Sequence, residues 1–194
     1  METRTANLFE FINAIVPFDE LEKAEIARFV EEKNYPKNFI LLENGDVARH
    51  IYFMQEGLAR TFSINKQGKD ITHSFFMEGE FLTVGESFFN QKPSERYSIE
   101  LLEDCKLQRI SYQHMLLLSE RIPKMEKVQN KAMLHFLLRA TDRIVQLQFQ
   151  SASERYHTLM EKQPQILQRA PLGHIASYLG FTQETLSRIR ARRD

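Results

Sequence analysis

The C-terminal end of the chain concentrates side chains that hydrogen-bond to planar and anionic partners. Glu184 precedes Ser187 by three residues and Arg188 by four, so a helix would carry all three on one face. Gln183 lies beside them, and four of the last seven residues are arginine. Carboxylates, amides and guanidinium groups pair with the edges of nucleic-acid bases, and arginines also bind phosphates. The cluster therefore predicts a nucleic-acid-binding surface.

Two short helices joined by a tight turn are predicted to hold this cluster. Ala176 is small enough for a second helix to approach closely, and Gly180 suits a left-handed turn. Thr182 is placed to cap the second helix. The inward-facing positions are Leu172, Ile175, Ala176, Leu179, Leu186 and Ile189, with Phe181 at the corner. The pattern is typical of a helix-turn-helix with a recognition helix over 182–193, and an ordinary helical hairpin is the alternative.

The distribution of charge points the same way, although the net charge is zero. Residues 151–194 carry seven Lys/Arg and four Asp/Glu, whereas residues 1–150 carry 19 and 22. A basic end on a slightly acidic body is typical of a DNA-contacting segment, and a solvated helix end is the alternative. No apolar run approaches the roughly 18 residues that span a membrane, and the N-terminus does not resemble a signal peptide. The single cysteine, Cys105, forms no internal disulfide, so we expect a cytoplasmic protein without membrane contact.

Short apolar runs separated by turn residues fill residues 33–110. Four glycines, Gly45, Gly57, Gly68 and Gly79, follow at intervals of 12, 11 and 11 residues, each among turn-forming neighbours. This spacing predicts a β-sandwich or barrel, with its clearest hairpin at the KQGK turn around Gly68. Ahead of it, helical spacing runs over 7–15 and 19–32, where Asp19 is a cap candidate and Leu21 joins the second apolar stripe.

A long helix is predicted after Pro123, because residues 124–150 contain neither glycine nor proline. At about 1.5 Å per residue it extends roughly 40 Å. One apolar stripe repeats at steps of four and three residues, which is a heptad seam formed by Met133, Leu137, Ala140, Ile144 and Leu147. We expect this seam to pair with a second copy of the chain, and packing within the chain is the alternative. A further helix follows Ser151, with Ser153 as a possible cap, and a short turn runs from Pro164 to Arg169.

These motifs together resemble the CRP/FNR superfamily of bacterial regulators. Glu184, Ser187 and Arg188 are similar to the E-x-x-S-R pattern of its FNR-like branch. The run from Gly45-Asp46 through Ile51-Tyr52 to Gly57 resembles the family's G-[DE]…[IL]-Y-x-x-x-x-G signature, and Gly79-Glu80-Phe81 resembles a later turn. The segments 153–156 and 175–180 resemble a subgroup common in Bacteroidetes.

The resemblance implies an α+β fold with a double-stranded β-helix, or jelly-roll, sensor domain over 1–122. A dimerisation helix over 123–150 and an all-α helix-turn-helix domain over 151–194 would follow. It further implies a homodimer on a palindromic operator, with RNA polymerase as a further partner.

By the same resemblance, Glu184 would accept from a cytosine amino group and Arg188 would donate to guanine. Thr182, Gln183 and Ser187 would contact phosphates or neighbouring bases. No strands of a wing bracket the motif, so Arg190, Arg192 and Arg193 are expected to grip phosphates instead.

The family's ligand cassette is only partly matched. It implies a Gly-Glu pair followed ten residues later by arginine, and the tentative ligand-binding set here is Gly85, Glu86, Ser87, Arg96 and Thr141. Two additional residues precede the pair, Phe88 and Phe89 replace smaller residues after it, and Arg96 falls about one position out of register. We therefore expect no cofactor, with cyclic-nucleotide binding possible but not favoured.

Three functions are compatible with the sequence. The first is a dimeric DNA-binding regulator with a sensory domain, which includes a genuinely cyclic-nucleotide-responsive one. The second is a cupin-like small-molecule-binding protein or enzyme, which lacks the H-x-H and carboxylate set that such a metal site requires. The third is a regulator that has lost its effector. We favour a dimeric DNA-binding regulator whose sensor ligand is unknown or lost, and we expect no metal site and no enzymatic activity.

Overall fold

The computed structural model describes residues 6–191. Two helices open the chain, α1 (Leu8–Ile15) and α2 (Glu20–Phe29). Asp19 caps α2 through reciprocal hydrogen bonds with Glu22, which confirms the predicted cap. Leu21 is 83% exposed, so its predicted place on the buried stripe of α2 is wrong.

Between residues 6 and 191, eight strands form two four-stranded antiparallel sheets that enclose a shared apolar core as a jelly roll, which confirms the predicted fold class. The strands are β1 (Glu31–Tyr35), β2 (Ile40–Leu42), β3 (His50–Glu56), β4 (Ala59–Ile64), β5 (Asp70–Phe76), β6 (Phe81–Leu82), β7 (Ser98–Leu101) and β8 (Cys105–Ser111). One sheet has the order β1-β8-β3-β6 and the other β2-β7-β4-β5, so β5 is an edge strand. We call this domain the β-roll.

Strand β1 corrects the prediction that α2 continues to Glu32. Residues 31–35 pair antiparallel with β8, and Glu31 accepts from the Arg109 guanidinium at 2.7 Å. Because most of its side chains are exposed and polar, the strand has no apolar alternation by which it could be recognised.

Glycines allow the tight turns of the β-roll. Gly68 has φ 74° in the β4–β5 hairpin, which confirms the predicted hairpin. Gly57 has φ 114°, and a Cβ atom placed on it would lie 2.3 Å from Cys105 Sγ. Burial around this contact raises the pKa of the Cys105 thiol to about 11.

Helices close the β-roll and continue into the C-terminal region. They are α3 (Gly85–Asn90), α4 (Tyr112–Arg121), α5 (Met125–Phe149), α6 (Ala152–Lys162), α7 (Pro164–Arg169), α8 (Leu172–Leu179) and α9 (Gln183–Ala191). The sequence did not predict α3 or α4. Ser151, not Ser153, caps α6. Its hydroxyl accepts a hydrogen bond from Glu154 N, and the Glu154 carboxylate accepts one from Ser151 N.

The C-terminal helices pack onto the β2-β7-β4-β5 sheet. One apolar cluster joins Leu58, Phe75 and Leu102 of the β-roll to Tyr156, Ile166, Ile175 and Leu179 of the helices. Within residues 6–191, no helix is long and apolar enough to cross a membrane.

Candidate nucleic-acid interface and sensor residues

Helices α8 and α9 form a compact pair around a small apolar centre. Ile175, Ala176, Leu179 and Leu186 are all buried, as the sequence predicted. Gly180 adopts φ 80° and ends α8, with its N–H donating to Ser177 O at 3.1 Å. This left-handed residue turns the chain sharply enough for α9 to cross α8.

The N-terminus of α9 is capped as predicted, because Thr182 Oγ1 accepts from Thr185 N at 3.3 Å. A hydrogen bond from the Thr182 side chain holds the pKa of the Glu184 carboxyl below its usual range. Glu184 is therefore an ionised acceptor at neutral pH, placed in the first turn of a helix.

The outer face of α9 is open to solvent. Gln183, Glu184, Ser187, Arg188 and Arg190 are all exposed. Among the described residues, Arg188 forms two long hydrogen bonds, both within its own helix, to Glu184 O and Thr185 Oγ1 at 3.4 Å. Its guanidinium is thus free to turn to an external acceptor.

Two further details concern this surface. The Gln183 side chain lies back over α8, where a Cβ atom added to Gly173 would meet Gln183 Nε2 at 2.4 Å. The predicted phosphate contacts Arg192 and Arg193 lie outside the described residues. Between 151 and 191 all regular elements are helices, so no strand of a wing occurs in that range.

The predicted seam on α5 is an exposed apolar face. Met133, Leu137, Ile144 and Leu147 are 48–61% exposed, and Ala140 is exposed between them. A second exposed apolar row, which the sequence did not predict, lies beside it and is formed by Leu134, Leu138 and Val145. Such a broad apolar stripe on one helix is unusual for a surface facing water.

The predicted ligand-binding residues do not converge on one cavity. Glu86 and Arg96 are exposed on the surface, and Thr141 on α5 is exposed and donates to Leu137 O. Ser87 is buried, where its hydroxyl donates to Lys92 O and accepts from Ala48 N at 2.8 Å. Through these two hydrogen bonds, Ser87 holds α3 against the β2–β3 loop.

The space beside the predicted cassette is filled. Phe88 is fully buried in the core between the sheets, in edge contact with Tyr112. A separate cavity of about 430 Å³ opens near the β2–β3 loop. None of the five tentative ligand residues is among the described residues that line it, which are Leu41, Leu42, Gly45, Asp46, Val47, Ala48, Arg49, His50, Tyr52, Thr83 and Ile99.

A charged contact that the sequence did not predict fastens the C-terminal domain to the β-roll. Arg169, the last residue of α7, donates to the carboxylates of Glu78 and Glu103 at 2.6–3.2 Å. These partners lie 91 and 66 residues away along the chain, so no local pattern could have paired them.

Known proteins resemble this chain in both sequence and fold. Residues 32–121 match the cyclic nucleotide-binding domain family. The chain is 26% identical over 191 residues to the fumarate and nitrate reduction regulatory protein of Vibrio cholerae, covering 91% of this chain and 75% of that protein. It is 25% identical over 192 residues to an anaerobic regulatory protein of Pasteurella multocida, covering 91% and 69%.

Solved structures share the fold at lower identity. FixK2 from Bradyrhizobium japonicum has a TM-score of 0.71 at 21% identity, covering 84% of this chain and 83% of that one. CLP of Xanthomonas campestris, described as a c-di-GMP responsive global regulator, has a TM-score of 0.71 at 18% identity, covering 90% and 91%.

The described residues thus combine a β-roll, a long exposed helix and a helix-turn-helix in one chain, an arrangement shared with these solved structures. The chain is similar over 91% of its length to FNR-type regulatory proteins, and residues 32–121 match the cyclic nucleotide-binding domain family, which supports the CRP/FNR resemblance found in its sequence. The relatives named above are regulatory proteins.

Proposed function

We propose that the protein is a homodimeric, sequence-specific DNA-binding transcription regulator, with α9 entering the major groove. The observation that carries this proposal is the solvent-exposed outer face of α9, where an ionised Glu184 and a loosely held Arg188 lie one turn apart. Arg188 suits the O6 and N7 acceptors of guanine, and Glu184 suits the amino group of cytosine. Thr182, Gln183, Ser187 and Arg190 surround them as phosphate or flanking-base contacts.

The exposed face of α5 supports the homodimer. A second copy of the chain brings an identical apolar stripe, and two-fold pairing of such stripes covers both. Two-fold symmetry then calls for a palindromic operator with half-site centres about 34 Å apart. RNA polymerase is the further partner that we propose for the DNA-bound dimer.

The proposal for the sensor domain concerns which ligand, if any, it binds. We infer that cyclic nucleotides do not bind at Glu86 and Arg96, because both are exposed and Phe88 fills the adjacent interior. A cyclic-nucleotide-responsive regulator is the second candidate, favoured by the match of residues 32–121 to the cyclic nucleotide-binding domain. A sensor without any ligand is the third.

In vitro selection from random double-stranded DNA tests the central proposal. Purified full-length protein is incubated with the library, and bound DNA is sequenced after several rounds. We expect enrichment of an inverted repeat containing a G·C pair in each half-site. Absence of any enriched sequence, at low as well as moderate salt, would refute sequence-specific DNA binding.

A further inference from the structure

The contact around Arg169 is a three-way junction between the C-terminal domain and two turns of the β-roll. Arg169 Nη2 lies 2.7 Å from Glu78 Oε1 and 2.6 Å from Glu103 Oε2. Glu78 Oε1 also accepts from Gly57 N at 2.9 Å, so a backbone N–H orients the same carboxylate oxygen that Arg169 contacts. The side chains of Arg169 and Glu78 are 19% and 17% exposed. Ion pairs of this multiple, partly buried kind hold geometry better than isolated surface pairs.

A second contact lies along the free edge of the sheet. Ser177 of α8 accepts from Thr72 N at 3.0 Å and donates to Asp70 O at 3.1 Å, so its hydroxyl takes the place of a neighbouring strand beside β5. Next to it, the rings of Tyr178 and Phe75 meet edge to face with centroids 5.2 Å apart. The Arg143 guanidinium of α5 lies 4.3 Å above the Tyr178 ring, which ties the long helix into the same contact.

These two contacts use α7 and α8 and leave the outer face of α9 uncovered. The docked domain therefore presents Glu184 and Arg188 to solvent while its other side is fastened to the β-roll. Docking of the domain onto the β-roll therefore does not bury the outer face of α9. What it does fix is the position and direction of that face relative to α5, the helix that carries the proposed dimer seam.

We propose that Arg169 is a positioning residue for DNA recognition: by fastening the helix-turn-helix domain to its own β-roll through Glu78 and Glu103, it sets the spacing of the two recognition helices in the dimer. This inference rests on the proposed function of a dimeric DNA-binding regulator. When both helix-turn-helix domains of the dimer are docked, they present the two recognition helices at one separation. The conformational entropy of fixing their positions is then lost on folding and not on DNA binding. A pair held only by the segment around Gln150 would explore many separations, so its effective concentration at the second half-site would fall.

The test compares DNA duplexes that differ only in the distance between half-sites. Fluorescence anisotropy is measured for the full-length protein on the selected operator, on operators with one to three base pairs inserted or removed at the centre, and on a single half-site. The variants are R169A and, on different elements, the double variant E78Q/E103Q. The matched control is R28A, which removes an arginine from an exposed ion pair in α2.

Wild-type protein and R28A are expected to discriminate sharply among spacings. We call the Arg169 contact with Glu78 and Glu103 the clamp. Both clamp variants, R169A and E78Q/E103Q, are expected to bind the selected operator about tenfold more weakly and to show a flatter spacing profile. Both are expected to bind the single half-site as well as wild type does. Circular dichroism and the unchanged half-site affinity show that the recognition domain is folded. Because the two variants remove opposite partners of the same contact, agreement between them separates loss of the clamp from a local defect.

Two results would overturn the inference. An unchanged spacing profile in both variants would mean that the domain is positioned without Arg169. A gain in operator affinity would mean that the clamp holds the domain away from its binding position. If wild-type protein binds no DNA of any spacing, the proposed function itself fails, and this outcome is distinct from the other two.

Discussion

Replacing Arg188 by alanine tests the base-recognition assignment with little effect on the fold. Within residues 6–191 it forms two hydrogen bonds, both at 3.4 Å to its own helix, and it is exposed, so its removal leaves no buried group unpaired there. Loss of a guanidinium that pairs with guanine costs about 1–3 kcal/mol at one half-site. A symmetric dimer carries the substitution twice, so the cost per dimer is about 2–6 kcal/mol if the half-sites add.

At roughly 1.4 kcal/mol for each tenfold change, this cost corresponds to a Kd at least about 30-fold higher on the selected operator. Competition anisotropy at fixed salt measures it, with R28A as the matched surface-arginine control. Affinity for unrelated DNA should fall much less, because only one phosphate-directed charge per chain is lost. A specific-site loss below about threefold, or an equal loss on specific and unrelated DNA, would refute the assignment of Arg188 to a base.

Three other predictions follow from the sensor domain, the long helix and the docking contact. Isothermal titration of the protein with cyclic AMP and cyclic GMP should give no binding heat, and micromolar binding would reverse our inference about the cassette. Leu137→Asp on the exposed face of α5 should convert the dimer to monomer in sedimentation velocity, whereas Glu126→Asp, at the start of the same helix, should not; a monomeric wild type would contradict the proposed seam. Burial and the nearby Arg60 lower the pKa of His174, whose Nδ1 has no hydrogen-bond partner within the described residues. The folded protein therefore binds a proton on this ring less readily than the unfolded chain does. The contribution of His174 to the free energy of unfolding is accordingly full above the unfolded pKa near 6.5, and it is lost as the pH falls through the lower folded pKa. Urea unfolding at pH 7.5 and 5.5 should show a smaller pH dependence in His174→Gln than in wild type; equal dependence would exclude this histidine as a source. The charged groups that face it are Arg60, Asp70 and Glu100.

Local signals in the sequence were sufficient for the helix-turn-helix and for the turns. Gly180 and Gly68 have the positive φ that their contexts predicted, and Thr182 caps α9. Each of these features depends on residues within four positions of one another, where backbone geometry dictates the residue type. The short apolar runs between regularly spaced turn glycines were equally informative, because strands at such spacing are typical of a β-sandwich or barrel.

The features that escaped prediction depend on distant partners. Strand β1 is polar and forms only because β8 offers an unpaired edge, so its own residues carry no strand pattern. The short helix α3 begins without a capping side chain and is held by Ser87, whose partners include Ala48 on another loop. Arg169 contributed only a positive charge to the sequence analysis, since its carboxylate partners come from two separate turns.

The hydroxyl of Ser177 has a consequence for solubility. It occupies the hydrogen-bonding groups of Thr72 and Asp70 on the outermost strand, and its domain covers Phe75 and Leu102. An uncovered edge with apolar neighbours is a template on which strands of other molecules can add. We therefore expect the helix-turn-helix domain also to protect the β-roll against aggregation. A β-roll expressed without residues 151–194 would leave that edge uncovered, so separating the two domains would expose an aggregation-prone edge as well as remove the proposed DNA-binding surface.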